Sequence, residues 1–375
     1  MDEFVRERLR SSMKALGLDG LVACSKDNVA YAAGYVIPSQ QLNMRHRQFA
    51  VAVNGDGEAA LLLSANEVAE AQSRSLVKHL QPYDELSDDP MEGLVEVLRH
   101  LGLNGKRIGI EMDALPAKQW IRLGELNPGA TLVDGSAALM AARRVKSPRE
   151  LEFIRVATAC AHHAQAEAHV MMTAGCSERE VARWIVDAAF KAGAEDILMV
   201  QVASGDRSTY SNPTPTTRRM NRGEVVKIDV FVSANGYLSD TGHCVWVEEA
   251  SAKDRATWAK VAETMDLVEA MVRPGTSVRE LWEVYAHAFE ERGLKPSGRF
   301  LGHGLGLGIH EEPFVAAHVG TVLEPNMVMA IEPVYIEDGK LFFLEDNLLV
   351  TDSGFESLTT ALPHGMIVTP TTPIS

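Results

Sequence analysis

Cysteine is scarce in this chain of 375 residues: Cys24, Cys160, Cys176 and Cys244 are widely spaced and include no Cys-x-x-Cys pair. That argues against a disulfide framework or a thiolate zinc site and leaves buried, reduced thiols as the expectation. Long apolar runs are also missing. No stretch approaches the roughly 20 residues that span a bilayer, so a membrane role is not expected. Aromatic residues make up 6% of the chain, and no basic run is interleaved with them. With a formal net charge of -15, the molecule should repel phosphate backbones, which argues against nucleic acid as a partner. The acidity itself fits a solubilising surface. Short-period repeats and low-complexity tracts are lacking too.

What is present is the composition of an ordinary globular protein, 46% hydrophobic and 23% charged, with length for two or three domains. The opening MDEFVRERLRSSMKALG has the pattern of an amphipathic helix. It lacks the basic start and apolar core of an export signal, so a cytoplasmic location is expected.

Residues 1–143 alternate between helices and strands. Helices are expected over 2–17, 65–75, 91–102 and 115–126, and strands at GLVACS, QFAVAVN, AALLLS, RIGIEM and ATLVDG. This alternation indicates a layered α/β domain. RRVKSPRELEFIR, with Ser147 and Pro148 at the cap and first turn of a new helix, marks the boundary. Residues 144–375 read as an α+β domain, with helices over 148–172, 177–192, 252–272 and 277–293. Strands are expected over 224–233, 237–247, 327–337 and 341–351.

The segment EVVKIDVFVSANGYLSDTGHCVWV reads as a hairpin turning at Asn235-Gly236. In that register Asp229 faces Gly242, and Asp240 lies diagonally from Asp229 on the same face, within reach of a shared ion. For Asp229 alone, a solvent-facing strand position accounts equally well. Glu332 in VMAIEPVYI and Glu345 in KLFFLEDNLLV are further charges inside core-like strands, and LGHGLGLGIHEEP sets His303 and His310 among four glycines. Four carboxylates and an imidazole on buried-looking segments are costly unless paired or metal-bound. Such an oxygen-rich set with one nitrogen suits manganese, cobalt or iron, with zinc as a further candidate. Two such ions about 3.5–4 Å apart would activate a bridging water and polarise a carbonyl.

The order of IDV, SDTG, GHGLGLGIHEEP, IEP and LEDNLLVT, following KSPRELEFIR, resembles the prolidase, aminopeptidase P, methionine aminopeptidase and creatinase superfamily. The resemblance covers about 146–360. It implies an α+β pita-bread catalytic domain, preceded by an N-terminal α/β domain of creatinase/prolidase type. It also implies Asp229, Asp240, His303, Glu332 and Glu345 as ligands of two divalent ions, with Asp240 and Glu345 bridging. Glu332 would assist proton transfer, and His310 would hydrogen-bond substrate or the developing oxyanion. The activity implied is hydrolysis of an amide C–N bond in an Xaa-Pro dipeptide or peptide, by a homodimer.

Several positions depart from the peptidase pattern. Asn212 stands where a substrate-side histidine is expected, and an amide carries no proton near neutral pH. His243 occupies the usual arginine position after the second ligand, where it replaces that charge, recovers proton chemistry or simply packs. Phe343 replaces an arginine beside the metal site. These changes also fit a small-molecule amide hydrolase of creatinase or ectoine-hydrolase type; a metal-dependent lyase and a non-catalytic binding relative are further readings. In IPSQQLNMRHRQF, Arg45, His46 and Arg47 form either a solvated basic loop or, through Arg45 or Arg47, a source of positive charge for a substrate carboxylate.

Overall fold

The amphipathic opening forms helix α1 (Glu3–Ala15), where the Asp2 side chain accepts from the backbone N–H groups of Phe4 and Val5. Val5, Leu9 and Met13, four residues apart, form its buried stripe. The computed structural model describes residues 1–42, 44, 47–296, 298, 300–359 and 364–373. They divide into two compact units, Met1–Ser147 and Pro148–Ser375. Among the described residues, no helix is long and apolar enough to cross a membrane.

The first unit carries a six-stranded sheet. Its strands are β1 (Gly20–Ala23), β2 (Ala50–Asn54), β3 (Ala59–Ser64), β4 (His79–Tyr83), β5 (Arg107–Ile110) and β6 (Thr131–Asp134), in the order β4-β3-β2-β1-β5-β6. β2 runs antiparallel to both β1 and β3, and the outer pairings are parallel. Helices α2 (Lys26–Ala33), α3 (Val68–Arg74), α4 (Pro90–His100), α5 (Ala117–Leu126) and α6 (Ser136–Arg144) complete it. Val22, Leu62 and Ile108 from the strands, with Leu94 and Leu98 from α4, centre one core. β4 and α6 were not expected from sequence. β4, HLQPY, is a partly exposed edge strand containing Pro82, a residue edges tolerate but whose presence obscures a strand pattern.

The second unit begins with α7 (Pro148–Met171) and α8 (Glu178–Lys191), followed by β7 (Asp196–Ser204), β8 (Val225–Ala234) and β9 (Tyr237–Trp246). α9 (Ala252–Glu269) and α10 (Val278–Glu291) follow, then β10 (Phe300–Gly304), β11 (Glu311–Ala316), β12 (Val328–Ile331) and β13 (Val334–Glu337). β14 (Lys340–Phe343), β15 (Asp346–Val350), β16 (Phe355–Ser357) and β17 (Ile367–Val368) end it. One sheet runs β17-β9-β8-β7 and a second β11-β10-β12-β15-β16, with β13-β14 as a separate hairpin.

Alternation along β8 decides what faces where. Val226, Ile228, Val230 and Val232 are fully buried against Ala161, Ala164 and Ala168 of α7 and Val181 and Ile185 of α8. Lys227, Asp229 and Phe231 therefore point to the opposite face of the sheet. The helix-facing side of this strand supplies apolar adhesion, and its other side is free to carry charge.

Candidate active site

Asn235 and Gly236 both take positive φ, 47° and 82°, so β8 and β9 join through the two-residue turn that this pair favours. The register follows: Asp229 pairs with Gly242 and Phe231 with Asp240. Asp229 and Asp240 thus share a face, as the sequence predicted. A methyl group at Gly242 would sit 2.3 Å from the Phe343 ring and 3.0 Å from Glu345 Oε2. Glycine at this one place lets the Glu345 carboxylate approach the hairpin.

Contrary to the sequence expectation, Glu332 and Glu345 do not lie inside continuous strands. The chain breaks at Glu332-Pro333 between β12 and β13, and at Leu344-Glu345 between β14 and β15. Each carboxylate therefore sits where its strand leaves the five-stranded sheet for the β13-β14 hairpin. Pro333 lacks the N–H that would continue the ladder. His303, within β10, pairs with Ala330 of β12. The glycines around it allow close backbone approach: a methyl at Gly302 would lie 2.1 Å from the Ala330 carbonyl oxygen. Glu311, which sequence reasoning did not single out, accepts from Gly308 N–H at 2.9 Å and braces the loop.

These elements bring together the five residues expected from sequence. Asp229, Asp240 and Glu345 offer one oxygen each within 4.8 Å of one another, and so do His303, Glu332 and Glu345 through one atom apiece. His310 joins Asp240 and His303 in a third such group, its ring centroid 4.2 Å from that of His303. His303 Nδ1 donates to the Gly304 carbonyl at 3.0 Å, which turns Nε2 toward Asp240 at 3.4 Å and Glu332 at 3.7 Å.

The electrostatics are those of buried carboxylates crowded against one another. Burial, then the neighbouring Asp240, pushes the Asp229 carboxyl well above the usual range, and burial with Asp240 and Glu332 does the same to Glu345. Glu332 is pushed up to about 7, chiefly by burial. Burial alone would lower His303, but the facing carboxylates of Asp240 and Glu332 raise it overall. Two buried atoms here, Asp229 Oδ1 and His303 Nε2, have no hydrogen-bond partner among the described residues. A buried acceptor is rarely left so. Unpaired donor atoms facing four carboxylates fit bound divalent cations, which would satisfy both the orphaned atoms and the charge.

Lys227 was missed, although a period of two places it on Asp229's face. Its ammonium stands 3.4 Å from Asp229 Oδ2, donates to the Ser211 carbonyl at 2.7 Å and lies 5.2 Å from the Phe343 ring centre. Phe343, 2% exposed, is a buried wedge between Gly242 and Lys227. Asn212 is exposed on the neighbouring loop, where its Oδ1 accepts from Gln201 Nε2 at 3.1 Å; Gln201 pairs across β7 and β8 with Asp229. That loop is anchored by fully buried Glu178, which accepts from the backbone N–H groups and hydroxyls of Ser204 and Thr216.

His243 is not brought to the site. Alternation turns it to the helix side of β9, where its Nε2 lies 2.8 Å from His169 Nε2 of α7. It is a packed histidine, and burial holds its pKa well below the ordinary value. Arg47 is engaged within the first unit: its Nε and Nη2 donate to Glu85, and Glu67 lies 3.9 Å away. Its charge is already balanced there. Arg45 lies outside the described residues.

A rim beyond the carboxylates was also missed. Phe300 stacks parallel to His303 at 5.9 Å, lies 6.2 Å from His310 and 6.1 Å from Phe314; both phenylalanines are partly exposed.

Residues 152–352 match the model of metallopeptidase family M24. The chain belongs to that family. The match covers more than half of the chain, and residues 6–145 match the creatinase/prolidase N-terminal domain. The two units are therefore an N-terminal domain of that type and a pita-bread catalytic domain, and the protein is a metal-dependent hydrolase using divalent ions. The chain is 33% identical to an Xaa-Pro dipeptidase of Pyrococcus furiosus over 223 residues, 58% of this chain and 63% of the other. A probable dipeptidase, PepE, of Mycobacterium tuberculosis is 26% identical over 94% of this chain and 93% of its own length. The solved structure of the prolidase from Pyrococcus furiosus superposes with a TM-score of 0.80 at 27% identity, covering 93% of this chain and 98% of that one.

Proposed function

We propose that this M24 hydrolase cleaves the amide bond of Xaa-Pro dipeptides. The observation that carries the reading is the convergence of Asp229, Asp240, His303, Glu332 and Glu345, with orphaned atoms of Asp229 and His303 turned inward. In the proposal these five residues would hold two divalent ions. Bound there, the ions supply a polarised scissile carbonyl and an activated water nucleophile. Glu332 takes a proton from the attacking water and delivers it to the departing amide nitrogen. His310 donates a hydrogen bond to the carbonyl oxygen as negative charge develops. Phe300 and Phe314 offer an apolar surface for a prolyl ring or the side chain before it. Lys227 offsets part of the carboxylate charge and, through the Ser211 carbonyl, ties the Asn212 loop to the site.

The dipeptide reading is supported by the prolidase and dipeptidase relatives. Manganese is the proposed metal, because oxygen ligands outnumber nitrogen; cobalt and iron also suit the set, and zinc is a further candidate. A cytoplasmic location accords with four unpaired cysteines, and a homodimer rests on family resemblance.

The test is a side-by-side assay of manganese-loaded protein on Xaa-Pro dipeptides, longer Xaa-Pro peptides, and cyclic or acylated small amides. Turnover concentrated on Xaa-Pro dipeptides is the expected result. Turnover confined to small non-peptide amides would overturn the substrate assignment in favour of a creatinase-type enzyme, to which Asn212 and Phe343 would then be adaptations.

A further inference from the structure

A second group of ligating side chains, none of them among the five, meets the five-residue centre at Asp346, the residue after Glu345. Asp266 and Glu269 close the last turn of α9, Asp346 opens β15, and His364 comes from the segment before β17. One ligating atom each from Asp266, Glu269 and His364 falls within 4.8 Å of the others. The His364 ring is oriented at both nitrogens. Nδ1 lies 2.7 Å from Asp266 Oδ1, and Nε2 faces Asp346 Oδ2 at 3.1 Å and Glu269 Oε1 at 3.4 Å. Trp258 Nε1 fixes the backbone by donating to the His364 carbonyl at 2.8 Å.

Three observations distinguish this group from a surface acidic cluster. Glu269 is only 8% exposed, and its Oε1, 3.4 Å from His364 Nε2, has no partner in hydrogen-bond geometry among the described residues. Three carboxylates surround one imidazole, and among the described residues no lysine or arginine forms an ion pair with any of them. A small cavity of about 20 Å³, bordered by Asp346, His364, Trp258 and His162 and reaching Glu345 of the five-residue centre, adjoins the group and has room for about one water or ion. An imidazole that turns one nitrogen toward two carboxylates while a third carboxylate takes the proton on the other has the layout of a metal-binding histidine with its outer partner.

We propose that His364 Nε2, Glu269 and Asp346 bind a further divalent cation of borderline character, with zinc as the probe, and that Asp266 orients the imidazole. The ion would join the C-terminal segment to α9 and to β15, one residue after Glu345. In the ion-free chain the same place is held by protons: Asp346 and Glu269 push His364 up to about 11, and burial, with Asp346, pushes Glu269 up to about 7. Binding would release the Nε2 proton, and any carried by Glu269, to solvent. This inference stands on residues distinct from the five-ligand centre, so either can fail without the other.

The experiment is equilibrium dialysis of chelator-stripped full-length protein against Zn²⁺ at neutral pH. Wild type should retain about one equivalent more than either Glu269→Gln or His364→Gln. Asp240→Asn, altered in the five-residue centre, should keep that extra equivalent. Zinc-edge anomalous diffraction from wild-type crystals gives a readout independent of how the variants fold, with a peak expected between His364 Nε2, Glu269 and Asp346. Equal zinc in wild type and both variants, or saturating zinc with no peak at that position, would overturn the proposal.

Discussion

At the residue scale, the structure turns on how closely carboxylates can be crowded. Gly242 is where that crowding is tightest, since a single methyl would displace either the Phe343 ring or Glu345. Gly242→Ala should lower bound metal and reduce kcat/KM at least about tenfold, equivalent to about 1.4 kcal/mol. Adding Phe343→Leu to it should recover much of the loss by vacating the clash; a double variant no better than the single would locate the damage elsewhere. Lys227→Met should leave the fold intact and raise KM for dipeptides, because it frees the Ser211–Asn212 loop and uncovers Asp229. The five carboxylate and imidazole positions were legible in the sequence as charges amid core-like neighbours. Lys227 was legible in principle through its i, i+2 relation to Asp229, but a strand lysine is usually read as solvated. His243 could not be assigned from its motif position, since strand alternation decides which face it takes.

At the element scale, the β8-β9 hairpin was readable to the exact pairing because Asn235-Gly236 admits essentially one loop length. The strands bearing Glu332 and Glu345 were read as continuous, because apolar runs on both sides of each residue hide a change of sheet. Only Pro333 marked one of the two breaks. β10 was hidden by the glycines that make its close pairing with neighbours feasible. Glu178 governs another element, the 204–216 loop. Its exposure is 0%, and bonds from Thr216 and Ser204 outweigh the effect of burial to hold its carboxyl below the ordinary 4.5. That contribution is present above about pH 4.5 and is lost as pH falls through the lowered native value. Glu178→Gln should cost about 2–3 kcal/mol in urea unfolding at pH 7, since an amide cannot accept all of those bonds. An unfolding midpoint unchanged from wild type would show the loop to be held otherwise.

For the molecule as a whole, the ion-free chain carries a cluster of carboxylates that resist ionisation when folded. Asp229 and Glu345 are raised well above the usual range and Glu332 to about 7. Groups whose native values are raised stabilise the fold fully below their unfolded values, near pH 4, and lose that contribution as pH rises through the native ones. Chelated protein should therefore become less stable between pH 5 and pH 8, and divalent metal should raise Tm more at pH 8 than at pH 5. Thermal unfolding with chelator and with manganese checks the sign; a metal-induced shift that shrinks toward pH 8 would contradict it. The division into an α/β and an α+β half was legible from element order, whereas the aromatic rim of Phe300 and Phe314 emerges only when β10 and β11 pair.

The central claim is that Asp229, Asp240, His303, Glu332 and Glu345 hold a pair of ions. Anomalous diffraction at the manganese edge, from crystals grown with manganese, tests it most directly. The account predicts two peaks about 3.5–4 Å apart among these five side chains. No peak at that position under saturating manganese would contradict it.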